Sequence, residues 1–377
     1  MQRKYEVRDA CFACTTPYQV IGAISIVLSE SIDADIYIFG TFPNHKGLAH
    51  RLSDLDIFRN VYAVESDEMI FLGKGKSGIE VQMKAFFQIA FPNKIVSDFL
   101  DENVAYRVFY SSSRAHAKLL LQKVLKARNP SMRVVIYDDG LGSYLKESHV
   151  LRTSKTRQRA ERILGWHLFD PRLVSIQLYL PEIAQIPTEL KECPIIRMPR
   201  LNWNNPKEKQ LLKTIFGVEG NRKYGEKIIL FDNVRGSKSR KEMFERIDEC
   251  YQTIMNIAGE NNVLFKGHPR SIEVPKLPLH LVKEQEVPME VFYSEMENLQ
   301  SRVLIAYNST AAYTPKMLFG KEPWVINLHR IVGPPLMENS ETLYQTFLPT
   351  YTDKSKLLSP NTMEELHEML HMALERE

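Results

Sequence analysis

Short apolar runs alternate with longer amphipathic stretches along the whole chain, as in a doubly wound α/β protein. The first half carries candidate strands in CFACT (11–15), DIYIFG (35–40), RVFYS (107–111) and RVVIYD (133–138). One helix is predicted after Pro17, in YQVIGAISIVLSE. Another is predicted in SRAHAKLLLQKVLKAR, where Leu119, Leu120, Val124 and Leu125 make an apolar stripe. A second series of strands follows at 227–232, 262–267, 279–284, 302–307 and 322–327. Residues 195–226 hold Pro199 and Pro206 and few strand signals, so they read as an interdomain connection. NTMEELHEMLHMALE opens on Asn361 or Thr362 as a cap and keeps Met363, Leu366, Leu370 and Leu374 on one face, the pattern of a closing helix. The expected fold is α/β, with two Rossmann-like domains facing across a cleft. Residues 1–200 form the first, 201–360 the second, and 361–377 the closing helix.

Length and composition sharpen this picture. At 377 residues, 44% hydrophobic and 25% charged, the chain suits two globular domains rather than one core. A net charge of +3 gives nucleic-acid binding no support. No apolar run reaches the ~18 residues of a spanning helix. Acids break the opening MQRKYEVRDACFACTTPYQV, so a cytoplasmic protein is expected. Of the four cysteines, Cys11 and Cys14 form a Cys-x-x-Cys, but inside a strand rather than at a helix start. Buried structural thiols are the expectation.

Open α/β sheets bind ligands at the carboxyl ends of their strands, and four such ends carry polar residues. Thr15-Thr16-Pro17-Tyr18-Gln19 follows the first strand. Asp138-Asp139-Gly140 follows the strand ending at Tyr137; two adjacent acids there either mark a solvated strand end or supply a carboxylate to a site. Lys266-Gly267-His268-Pro269-Arg270 follows NVLF, with an imidazole able to protonate a leaving group and cations suited to phosphate. Asn308-Ser309-Thr310 precedes a helix expected from about Ala311, where backbone N–H groups favour an anion, or where the hydroxyls simply cap. Carboxylates in the first half and imidazole, cations and hydroxyls in the second fit an anionic donor and an acceptor that must lose a proton.

The order Asp-Asp-Gly, then His-Pro, then a hydroxyl pair resembles the bacterial sialyltransferases, most closely glycosyltransferase family 52 of lipooligosaccharide and capsule synthesis. The opening strand followed by TTPYQV is similar to that family's start, and the likeness runs over roughly residues 10 to 330. The resemblance implies a GT-B fold, CMP-sialic acid as donor, a galactose-terminated glycan as acceptor, and inversion at the anomeric carbon. It implies Asp139 as base with Asp138 beside it, His268 as the group meeting the departing phosphate, and Ser309 and Thr310 as phosphate ligands. Lys266, Pro269, Arg270 and Asn308 join that nucleotide set. The chain departs from the family in having Asn-Ser-Thr rather than two serines. Family members also place the base after the first strand of the second half, which makes Asp232 the second choice here. The loop after Asp232 adds Arg235, Gly236, Ser237 and Lys238 as further phosphate contacts. Thr16, Tyr18, Gln19, Gly140 and Ser112 are expected to meet the acceptor or the sialic acid.

No metal or other cofactor is expected. Asp33-Ala-Asp35 precedes its strand and so lies at the wrong sheet edge, Asp54-Leu-Asp56 falls in a predicted helix, and cations can neutralise the single phosphate of CMP. The basic stretch 152–162 reads as a solvated segment or as a peripheral contact with anionic lipid at the inner face of the membrane, and a homodimer stays open by analogy. Two other functions stand beside sialyl transfer: a hexosyltransferase of the same fold using a UDP-sugar, and a non-catalytic glycan-binding or assembly protein of a capsule operon.

Overall fold

The computed structural model describes residues 5–65, 88, 91–112, 116–145, 171–186, 188–220, 224–235, 241–269, 271, 273–282, 286–335 and 337–375. The chain divides into two compact units, Met1–Arg200 and Leu201–Glu377.

The first unit is built on a sheet of seven parallel strands: β1 Glu6–Cys14, β2 Ala34–Phe39, β3 Asn60–Val64, β4 Val104–Ser111, β5 Arg133–Tyr137, β6 Val174–Leu178 and β7 Ile195–Arg197. Their spatial order is β3-β2-β1-β4-β5-β6-β7, so the winding reverses between β1 and β4. The central strands are buried on both faces, which is why they read as near-continuous apolar runs. Cys11 and Cys14 are buried in β1, and all four cysteines are free thiols. The main helices among the described residues are α1 Pro17–Glu30, α2 His45–Ser53 and α3 His116–Arg128. At the start of α1, Pro17 supplies a preset φ and the Thr16 hydroxyl accepts from Gln19 N at 3.3 Å. Gly22 lets α1 lie close to the sheet: a Cβ there would stand 2.8 Å from Met198 Cε and 3.3 Å from Tyr137 Cε2.

The second unit holds six parallel strands: β8 Ile228–Phe231, β9 Val263–Lys266, β10 His280–Leu281, β11 Val303–Ala306, β12 Trp324–Asn327 and β13 Leu357–Leu358. Their order is β10-β9-β8-β11-β12-β13, with its own reversal between β8 and β11. The main helices are α4 Pro206–Phe216, α5 Lys241–Ala258, α6 Met337–Phe347 and α7 Met363–Glu375. Ile247, Tyr251 and Ile254 of α5 pack with Leu366, Leu370 and Ala373 of α7 over the sheet, so the closing helix belongs to this core.

Several expectations need correction. The stretch 195–226 is more than a connection, because β7 closes the first sheet and α4 opens the second unit, capped by Asn205, whose side chain accepts from Lys207 N. The helix expected from Ala311 is a single 3-10 turn, Thr310–Ala312, followed by a π-turn, Pro315–Phe319. Tyr293 OH donates to Ala311 O at 2.7 Å and Thr314 Oγ1 to the same oxygen at 3.1 Å, which ties this backbone into side-chain contacts instead of a regular helical ladder. Asp54 and Asp56 lie past the end of α2, Asp56 in the left-handed region at φ 47°. Asp35 is buried at the amino end of β2, where Arg8, Asn60 and Tyr106 donate to it.

Candidate functional site

The register of the first sheet brings its polar strand ends together. Ala13 pairs with Ser111, and Ser111 with Ile136. Cys14, Ser112 and Tyr137 therefore form the next row at the carboxyl rim, beside the reversal between β1 and β4. Cys14 Sγ and Tyr137 OH are 3.2 Å apart in that row.

Asp138 and Asp139 leave β5 into different surroundings. Asp138 is fully buried and accepts from four donors: Tyr18 OH (3.2 Å), Gly140 N (2.7 Å), Tyr179 N (3.2 Å) and Tyr144 OH. Burial pushes its carboxyl up to about 6, against the pull of those hydrogen bonds. Asp139 keeps partial exposure. Its Oδ1 accepts from Gln19 Nε2, and its own N–H donates to Ser143 Oγ at 2.8 Å. Burial raises its carboxyl too, opposed by the charge of Lys118 and by hydrogen bonds from Gln19 and Ser112. Gly140 makes the turn at φ 77°, a conformation costly for any residue with a Cβ.

Sequence reasoning missed Lys118. Its side chain is 1% exposed, and Nζ donates to Gln19 Oε1 at 2.8 Å and Ser112 Oγ at 3.2 Å. Burial brings its ammonium down to about 8, opposed by Asp139. The signal was present: Lys118, Leu121, Gln122 and Leu125 share a face of α3, and a lysine at that spacing points inward. Gln19 and Ser112 are themselves enclosed, their polar atoms turned to Asp139 and Lys118. Thr16 caps α1, and Tyr18 is half-buried, its hydroxyl on Asp138.

The second unit repeats the layout. Phe231 pairs with Lys266 and with Ala306, so Asp232, His268 and Asn308 follow at the carboxyl rim around the reversal between β8 and β11. His268, Asn308, Ser309 and Thr310 are half-buried, and Pro269 is exposed. Lys266 is buried, its Nζ 5.8 Å from the centre of the Phe292 ring, and its charge acts on the buried Glu290 carboxyl. Asp232 is locked in place: Arg235 donates to both its oxygens through Nε and Nη2, and reaches Asp248 through Nη1 (3.0 Å) and Nη2 (2.6 Å). All three guanidinium nitrogens of the residue expected at phosphate thus meet carboxylates. Asn233 Nδ2, another residue sequence reasoning passed over, is buried at the end of β8 without a hydrogen-bond partner among the described residues. Arg270, Gly236, Ser237, Lys238 and the basic stretch 152–162 lie outside the described residues. Among the described residues no cluster of His, Cys, Asp and Glu is placed to hold a metal, and no helix is long and apolar enough to cross a membrane.

No family model and no curated protein matches the sequence. Among solved structures the chain is similar to CalG4, the calicheamicin glycosyltransferase, with a TM-score of 0.50 at 10% identity, covering 98% of this chain and 91% of that one. A UDP-glucosyltransferase from Polygonum tinctorium that glucosylates indoxyl is more distant, with a TM-score of 0.46 at 8% identity over 98% of this chain and 94% of that one. A UDP-forming trehalose-phosphate synthase from Burkholderia xenovorans has a TM-score of 0.44 at 10% identity, over 98% and 99%. The likeness to CalG4 shows the fold: two Rossmann-like units of the GT-B type.

Proposed function

We propose that the chain is an inverting glycosyltransferase in which the first unit receives the acceptor and the second the nucleotide-sugar donor. The observation that carries this reading is the setting of Asp139: a partly exposed carboxylate at the carboxyl rim of a doubly wound sheet, beside the strand reversal, its pKa raised above that of an ordinary aspartate by burial. Such a group is suited to take a proton at neutral pH. Asp138, with four donors on it, holds the turn instead.

Asp139 accepts the proton of the acceptor hydroxyl as that oxygen bonds to the anomeric carbon. The bond from the anomeric carbon to the phosphate oxygen breaks on the opposite face, and the nucleotide leaves as an anion. His268 meets the departing phosphate as a hydrogen-bond or proton donor, and Asn308, Ser309 and Thr310 supply further polar contacts at the same rim. Asn233 Nδ2 adds a donor that has no partner among the described residues. Stabilising developing phosphate charge with fixed donors is the largest effect such a site can offer.

The donor we favour is CMP-sialic acid, on the sequence resemblance in Asp-Asp-Gly, His-Pro and Ser-Thr, with a galactose-terminated glycan as acceptor. A UDP-hexose is the second reading, because the polar rim of the second unit suits the phosphate of any nucleotide sugar. Calorimetry of the full chain with CMP, UDP and GDP separates the two, followed by nucleotide release from the matching sugar donor with a galactoside. CMP binding with CMP release supports sialyl transfer, and UDP binding alone moves the assignment to a hexosyltransferase. Failure of every nucleotide to bind overturns the enzymatic reading in favour of a glycan-binding protein.

A further inference from the structure

Lys118 is a buried charge that the proposed reaction does not use. It lies within a turn of the start of α3 and reaches the rim from the interior, its side chain 1% exposed. Two short bridges link it to Asp139. In the first, Nζ donates to Gln19 Oε1 at 2.8 Å and Gln19 Nε2 donates to Asp139 Oδ1. The Gln19 amide cannot be reversed without loss, because Oε1 also accepts from Thr15 N at 2.6 Å and Thr15 Oγ1 at 3.1 Å. In the second, Nζ donates to Ser112 Oγ at 3.2 Å, and the Ser112 hydroxyl acts on the Asp139 carboxyl to lower its pKa. The carboxylate and the ammonium thus share two uncharged intermediaries that are themselves buried.

We propose that Lys118 is a positioning residue for Asp139, acting through Gln19 and Ser112 to keep the carboxylate ionised and to fix its direction toward the acceptor hydroxyl. This rests on Asp139 being the base; Lys118 itself touches no substrate. A carboxyl in such a buried rim is driven toward its neutral form, in which it cannot take a proton, and a nearby opposite charge reverses that by ~1–3 pKa units. The remaining titratable neighbours do not compete. Burial holds Cys14 on β1 up at about 11 and keeps the Tyr137 phenol on β5 protonated, and Asp138 faces Tyr18, Tyr144 and Tyr179. A lysine that only filled space would leave the ionisation of Asp139 unchanged.

The test is a titration of the full chain carrying carbon-13 in its aspartate carboxyls, with the Asp139 resonance identified from its loss in Asp139→Asn. Lys118→Met is expected to raise the Asp139 pKa by ~1–3 units. Ser112→Ala and Gln19→Leu, each cutting one bridge, are expected to give part of that rise, and they carry the test if Lys118→Met does not fold. The acid limb of the pH profile of kcat/KM moves by the same amount in each variant. An Asp139 titration unshifted in the folded variants overturns the positioning role. The titration needs no turnover, so a wild-type chain that transfers no sugar refutes the proposed function and leaves this measurement standing.

Discussion

Tyr144 donates its hydroxyl to Asp138 Oδ2 across the turn DDGLGSY, and that contact decides which of two adjacent aspartates is held inside. With Tyr18, Gly140 and Tyr179 also donating to it, Asp138 has no capacity left for a substrate. Asp139, the next residue, points to Gln19 and keeps partial exposure. The doubled acid is therefore one anchor and one candidate base.

Removing the base should separate chemistry from folding. Asp139→Asn is expected to lower kcat by ~10²–10⁴-fold, with the circular dichroism spectrum retained. His268→Ala, at a half-buried position in the other unit, is expected to lower kcat by about 10²-fold with its thermal midpoint little changed. Full turnover in Asp139→Asn would remove that residue from the mechanism.

Asp138 should leave a signature in the pH dependence of stability. Its folded pKa, pushed up to about 6 by burial, lies above that of an ordinary aspartate. The folded state therefore binds the proton more tightly, and the stability this gives is complete below the unfolded pKa and is lost as pH rises through 6. Relative to Asp138→Asn, which cannot ionise, the wild-type unfolding free energy should fall by about 2 kcal/mol between pH 4 and 7. Urea midpoints of both proteins across that range give the difference directly.

Gly140 should tolerate no side chain. At φ 77° an alanine costs ~1–2 kcal/mol, and relief of that strain would displace Asp139. Gly140→Ala is expected to lower kcat more than its loss in the urea midpoint alone would explain.

Arg235 should matter to folding more than to nucleotide affinity. Arg235→Ala leaves Asp232 buried without its cation and releases Asp248, for a loss of about 3–5 kcal/mol in unfolding free energy. Calorimetry at a temperature where the variant is still folded should return a nucleotide affinity close to that of the wild type. A large loss of affinity with unchanged stability would instead put the guanidinium on phosphate.

The central strands of both sheets were legible because a strand covered on both faces must be apolar throughout, as in β2 and β11. β3, β6 and β7 were not, since the edge strands β3 and β7 are largely half-exposed or exposed and their sequences carry weak periodicity. Legibility at the site followed the same division. Asp139, Gln19 and His268 stood at strand ends where polar residues are conspicuous. Lys118 was hidden because its neighbours Leu119, Leu120 and Val124 drew attention to another face of the same helix. The turn at Thr310 misled because a Ser-Thr pair after a strand usually caps a helix, whereas contacts from Tyr293 and Thr314 hold this backbone in a single turn. Arg235 looked like a phosphate ligand because Asp248, its second partner, lies thirteen residues further along the chain.

Gly22 sits three residues after Gln19 on the same face of α1, and the absence of a side chain there sets how deeply the helix beds against Tyr137 and Met198. The amide that grips Asp139 is therefore held in place by a close approach that only a glycine permits. A bulky residue at 22 would lift α1 and tilt that amide, and shifts of about 1 Å at a reacting centre can cost 10²-fold in rate. Variants that lose activity through position 22 or 198 would look catalytic in a mutagenesis screen, although both residues are buried in packing.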